Sequence, residues 1–291
     1  MRENFKPLVA LAAGVLSAGS MLAQSQVVFP TPAGAVKRAC DAAGGQAAFT
    51  SLGLVELSIK REEVTQDGKT STASKIMFFL APGPTPGRTE DPQLKVIAAD
   101  DGNGGWAVVD GQPDARPSTS YMVKRLLTGE LFPLLLPFSL NWEGVNVVDV
   151  TPAQVGGQPV WRLKVALSRT FFHTPQISTS WTVDVDRRTF ALVRAESPAT
   201  DLGKGLRADG MRFSWGELAR VKNVTLPGYQ RIVGLDEGGT EKSHSRIDRI
   251  TYKALPAQAA EKLFPNPVPP AQRPKMPGMQ PPGQPETKPG G

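Results

Sequence analysis

The stretch VWRLKVALS, residues 160–168, decides the fold. Trp161, Leu163, Val165 and Leu167 alternate with Arg162, Lys164, Ala166 and Ser168. A period of two sends the sets to opposite faces of a β-strand, and polar outward residues mark an antiparallel sheet with one wet face. The same period recurs on both sides. In residues 54–64, Val55, Leu57 and Ile59 alternate with Glu56, Ser58, Lys60 and Glu62; in 180–186, Trp181, Val183 and Val185 alternate with Thr182, Asp184 and Asp186. Further strands are expected near 94–99, 106–110, 144–150, 190–196, 212–221, 229–234 and 243–255, and one that returns through Ile76, Phe78 and Leu80. The turns between them carry Asp67-Gly68, Asp100 to Gly105, Gly156-Gly157, Arg187-Arg188 and Gly238-Gly239, which suit tight hairpins. Residues 82–92 are rich in proline and read as a loop.

One segment breaks this rhythm. Residues 120–140, SYMVKRLLTGELFPLLLPFSL, place Met122, Leu126, Leu127, Leu131, Leu134, Leu135 and Phe138 at three- and four-residue steps, the spacing of one helix face. Gly129 and Pro133 interrupt it, so the expectation is one and a half short helices. Such a segment either fills the mouth of a β-structure with its own side chains or covers an apolar cavity as a lid. In the second case its apolar residues, with Trp106, Trp161 and Trp181 on the strands, are the candidate ligand-binding set. Another helix is expected over 33–49, broken at Gly44-Gly45, with the lone Cys40 buried as a small hydrophobe.

The chain starts as an export signal does. Arg2 and Lys6 precede an apolar run at 8–22, and Ala23 offers a cleavage site. A single cysteine leaves no internal disulfide, so the fold rests on its core. Residues 24–265 are expected to form one β domain. Residues 265–291 contain ten prolines and little that is core-forming, so a disordered, polyproline-like tail is expected over 266–291. No apolar run in the mature chain is long enough to span a bilayer. The net charge is +6 but spread through the chain. That suits a mild attraction to anionic lipid, and no basic stripe or motif points to nucleic acid.

Signatures of catalysis are sparse. Gly68-Lys69-Thr70 lacks the upstream glycine of a phosphate loop, where Glu63 stands instead. Asp101, Asn103 and Gly105 resemble a calcium loop without its later ligands. His173 and His244 have no second His or Cys at ligand spacing. Asp184 and Asp186 read as solvated. The expectation is a non-enzyme with no metal and no cofactor.

The order of the pieces resembles the periplasmic outer-membrane lipoprotein-sorting family, the Lol-type carriers. The likeness lies in a signal peptide followed by a helix ending in Ala43-Gly44-Gly45, then a long strand from Leu52-Gly-Leu-Val-Glu-Leu57. It continues in the turn Asp101-Gly-Asn-Gly-Gly-Trp106, the interrupting apolar helix, Val183-Asp184 with Thr189, and a last strand running to Leu263-Phe264-Pro265. It covers residues 33–266. The resemblance implies a curved, half-open antiparallel β-barrel with short helices over its mouth, in the periplasm of a Gram-negative-type bacterium. It also implies a carrier that holds an acyl chain of a lipoprotein or lipid. The alternative is a non-catalytic envelope assembly protein whose tail docks a protein partner.

Overall fold

The computed structural model describes residues 29–114, 116, 118–168, 171–172, 180–203 and 206–267; the stretch expected to be a signal segment, most of the proline-rich tail and His173 lie outside them. Two helices come first, α1 (Pro32–Ala42) and α2 (Gln46–Thr50). Six strands follow: β1 (Leu54–Val64), β2 (Thr70–Leu80), β3 (Gly87–Asp91), β4 (Val96–Asp100), β5 (Gly105–Val109) and β6 (Gln112–Pro113). Then come helix α3 (Thr119–Leu134) and a 3-10 turn, Phe138–Asn141. The second half holds β7 (Val145–Val155), β8 (Gln158–Leu167), β9 (Ser180–Asp186), β10 (Leu192–Ser197), β11 (Thr200–Gly203), β12 (Leu206–Ala208), β13 (Gly210–Val221), β14 (Val224–Leu235) and β15 (Glu241–Ala254). Helix α4 (Ala260–Leu263) closes the described chain.

Thirteen strands form one antiparallel sheet in the order β6-β5-β4-β3-β2-β1-β15-β14-β13-β10-β9-β8-β7, with β11 and β12 as a separate hairpin. The last long strand, β15, lies beside the first, and its register runs from Val55 opposite Ala254 to Val64 opposite Ser245. The two edges, β6 and β7, do not pair with each other, so this is a curved half-open barrel, mainly β. Period-two alternation sorts the side chains as expected. Trp161, Leu163, Val165 and Leu167 enter the core, as do Val55, Leu57 and Ile59. On the outer face of β8, β9, β10, β13 and β14, cations and anions interlock from strand to strand. Arg162 and Arg194 both donate to Asp184 (2.8 Å each), Arg212 bridges Glu196 and Glu241 (2.5 and 3.0 Å), and Arg231 reaches Glu241 (3.1 Å). Asp184 is therefore not solvated, as its strand position suggests, but 1% exposed beneath two guanidinium groups.

Two other expectations are corrected. The proline-rich loop contains a strand, because residues 87–91 hold no proline and pair on both sides, with β2 and β4. Helix α3 runs unbroken through Gly129, and Pro133 sits in its last turn, where Leu135 N–H still reaches Leu131 O (2.9 Å). Burial stabilises it despite both residues, since Leu127, Leu131, Phe132, Leu134 and Leu135 are fully buried. Phe138 stacks on Phe49 with centroids 4.3 Å apart, tying the 3-10 turn to α2. Gly44 allows α1 to meet the sheet. Its φ is +111°, and a Cβ there would lie 2.2 Å from Asn223 O, so no other residue fits. Beside it Thr225 N–H donates to Ala43 O (2.9 Å).

Leu163→Asp places an unpaired carboxylate in the core and is expected to abolish folding, whereas Lys164→Asp on the exposed face is expected to leave it intact. Circular dichroism of the two variants checks this; equal tolerance would refute the register. Burial first, and Asp41 with it, pushes the Cys40 thiol up to about 11 against a lesser opposing bond from Asn141. Ellman's reagent at pH 8 should therefore report no thiol until the protein is unfolded.

Candidate functional site

Helix α3 has two different faces. One is core. The other, carrying Met122, Leu126, Gly129 and Pro133, looks onto a cavity of about 700 Å³. Strands β4 and β5 form one wall with Val96, Ala98, Ala107 and Val109. Ala98 and Ala107 are cross-strand partners, so two small side chains stand where larger ones would close the space. Trp181, Met211, Phe213 and Ile232 from β9, β13 and β14 form the opposite wall, joined by Phe172. Trp181 stacks on Phe213 (5.2 Å), and Phe132 meets Trp181 edge-on (5.1 Å), so this wall is a rigid aromatic cluster. The lining is mostly apolar, with a polar margin made by Glu63, Asp114, Arg116, Arg125, Glu130, His244 and Arg246.

A cluster of charges fastens the helix to the sheet. Glu130 on α3 accepts from Arg61 of β1 (2.9 Å), Lys75 of β2 (3.1 Å) and Arg246 of β15 (2.7 Å). Asp248 of β15 accepts from the same two arginines, from Arg61 Nε at 2.9 Å and Arg246 Nη2 at 2.7 Å. Asp248 is fully buried and the Glu130 side chain is 12% exposed. Burial alone would raise the Glu130 carboxyl. Arg246, Lys75 and Arg61 outweigh it and hold the group well below the usual carboxylate range. Beside this cluster, His244 Nε2 and Glu63 Oε1 lie 2.8 Å apart. α3 is thus anchored at its middle and is not a free flap.

Gly129 has no structural need to be glycine. It is in a helix interior, where glycine costs about 1 kcal/mol relative to alanine. A Cβ built there meets nothing within 4 Å, and Gly129 faces the cavity. What the missing side chain preserves is empty volume.

The residues singled out from sequence fall in three places. Met122, Leu126 and Trp181 line the cavity. Leu127, Leu131, Leu134, Leu135 and Phe138 are buried in the core. Trp106 lies on the outer face and donates its indole N–H to Phe264 O (3.0 Å), while Trp161, also part of the core, lies under Arg187, 4.8 Å from guanidinium carbon to ring centroid. Sequence reasoning missed Ala98, Ala107, Gly129 and the charged cluster. Two signals pointed to the cluster: Glu130 is the lone acid in residues 120–140, and the inner face of β1 changes from Leu57 and Ile59 to Arg61 and Glu63. Among the described residues no three His, Cys, Asp or Glu side chains group as a metal site, and no helix is long and apolar enough to cross a membrane.

Glu130→Gln leaves three cations facing a neutral amide. Its expected cost is about 3–5 kcal/mol, the range for breaking one partner of a buried ion pair. The carboxyl is depressed in the folded state, so its stabilisation is complete above its unfolded value of 4.5 and is lost as pH falls below it. Denaturant melts over an acid series should show a shallower loss for the variant than for the wild type. Equal slopes would mean Glu130 is not charged in the fold.

No protein-family model matches the chain, and no curated protein matches it in sequence. Solved structures do match. A LolA superfamily protein from Nitrosomonas europaea aligns with a TM-score of 0.50 at 10% identity, over 79% of this chain and 96% of that one. A DUF1329 family protein from Desulfovibrio piger aligns at 0.45 and 11% identity, over 75% and 92%. An outer membrane lipoprotein-sorting protein domain from Vibrio parahaemolyticus aligns at 0.46 and 10% identity, over 80% and 98%. The chain therefore has a fold similar to that of a LolA superfamily protein, at a sequence distance where the likeness extends to the fold alone.

Proposed function

We propose that the protein is an exported, non-catalytic carrier that holds an acyl chain of a lipid or lipoprotein in the cavity beside α3. The observation that carries this reading is an open apolar cavity of about 700 Å³ faced by a helix glycine that nothing else explains. Burying each methylene of a ligand contributes about 0.8 kcal/mol, so one chain is enough for binding that is firm yet reversible. The signal-like start, with Arg2, Lys6 and the apolar run at 8–22, supports export to the periplasm. The fold likeness to a LolA superfamily protein supports a carrier over an enzyme. The clasp at Glu130 keeps the roof in place, so the ligand enters along the polar margin rather than by removal of the helix.

Gly129→Leu tests this directly. A Cβ at 129 meets nothing within 4 Å and the position faces the cavity, and leucine replaces a poor helix former with a good one. The melting temperature should rise by a few degrees, while binding of a fluorescent fatty-acid probe falls about tenfold or more, as expected when several buried methylenes are displaced. Native mass spectrometry of the wild type should show co-purifying lipid. A wild type that binds no apolar probe at micromolar concentration and carries no lipid would leave the assembly-protein reading instead.

A further inference from the structure

The margin of the cavity also bears on which amphiphile fits. A volume of about 700 Å³ falls within the range of about 300–1,000 Å³ that ligand pockets span, so an acyl chain with its head is in scale with it.

The charges around the cavity do not cancel. Beneath α3, Arg61, Lys75 and Arg246 stand against Glu130 and Asp248. At the margin, Arg116 and Arg125 stand against Asp114 and Glu63. That makes five cations to four anions. Every anion is engaged: Glu130 and Asp248 by the cluster, Asp114 by Arg116 (2.6 Å) and Glu63 by His244 (2.8 Å). The three cations beneath α3 share two anions and Arg116 holds Asp114, which leaves Arg125: it is exposed on α3, lines the cavity, and has no ion-pair partner among the described residues. It sits three residues after Met122 and one before Leu126, both of which line the apolar part. A chain lying along these two residues ends within the reach of this guanidinium.

Resting on the carrier reading, we propose that the occupant is an anionic amphiphile, with its acyl chain against Met122, Leu126 and Gly129 and its acid head on Arg125. The head is a carboxylate or a phosphate, as in a free fatty acid or a lysophospholipid. A guanidinium serves either one through charge-assisted hydrogen bonds.

The test is displacement of a fluorescent probe from delipidated full-length protein, with ligands held below micelle formation. The ligands are palmitate, palmitoyl lysophosphatidylglycerol, hexadecanol and dipalmitoyl phosphatidylglycerol. At least one of the two single-chain anions should bind about tenfold tighter than hexadecanol, the usual gain from one charge-assisted contact. Which of them does so separates carboxylate from phosphate. Arg125→Gln, with an unchanged melting temperature, should abolish that advantage and leave hexadecanol binding as it was. The proposal is overturned if hexadecanol equals both anions or if Arg125→Gln changes nothing. Hexadecanol binding with no preference for anions would sink this proposal and spare the carrier reading. Loss of all four ligands would sink both.

Discussion

The carboxylate of Glu130 is shared among three cations that come from different parts of the chain. Arg61 lies on β1, Lys75 on β2 and Arg246 on β15. β1 and β15, the first and last strands of the chain, lie side by side in the middle of the sheet. One side chain therefore couples the helix to the seam where the two ends of the chain pair. Burying these groups is costly, and the cost is met only because each charge has an opposite partner within hydrogen-bond distance. The position of α3, and hence the shape of the cavity beside it, follows from that mutual neutralisation.

The two halves of the inner face are built on opposite plans. Under α2 and the 3-10 turn, large rings fill the space, with Phe49 stacked on both Phe79 and Phe138. Across from α3 the chain places Ala98 against Ala107 and a glycine at 129. The cavity is the result of small residues at three positions on a sheet that elsewhere packs tightly. Its aromatic wall is stiff, its polar margin is charged, and its roof is anchored. These properties favour a ligand that slides in along the margin over one that pushes the roof aside.

Much of this architecture was legible in the sequence, because period-two alternation is a local signal. The register of 160–168 and the core role of Leu163 follow from it directly. Gly129 and Pro133 misled because helix-breaking tendencies are local too, whereas their remedy is tertiary: four fully buried side chains on α3, with Leu135 just after it, outweigh two poor helix formers. The strand at 87–91 was hidden by flanking prolines that lie just outside its hydrogen-bonded residues. The charged cluster was unreadable as a unit, since Glu130 meets partners 55, 69 and 116 residues away. The cavity was the least visible feature. Large apolar residues draw notice in a sequence, but an empty space is lined by whichever of them the fold leaves uncovered, and here small residues do the shaping.

Behind the sheet, α4 covers a second, smaller apolar cluster of Leu54, Phe78 and Phe264. Two donors hold the chain there: the Trp106 indole gives its N–H to Phe264 O, and Arg88 gives one to Leu263 O (2.8 Å). Leu263 and Phe264 are thus held on the reverse of the wall that lines the cavity. A partner that gripped this back face would leave the mouth of the cavity uncovered, so the two surfaces need not compete.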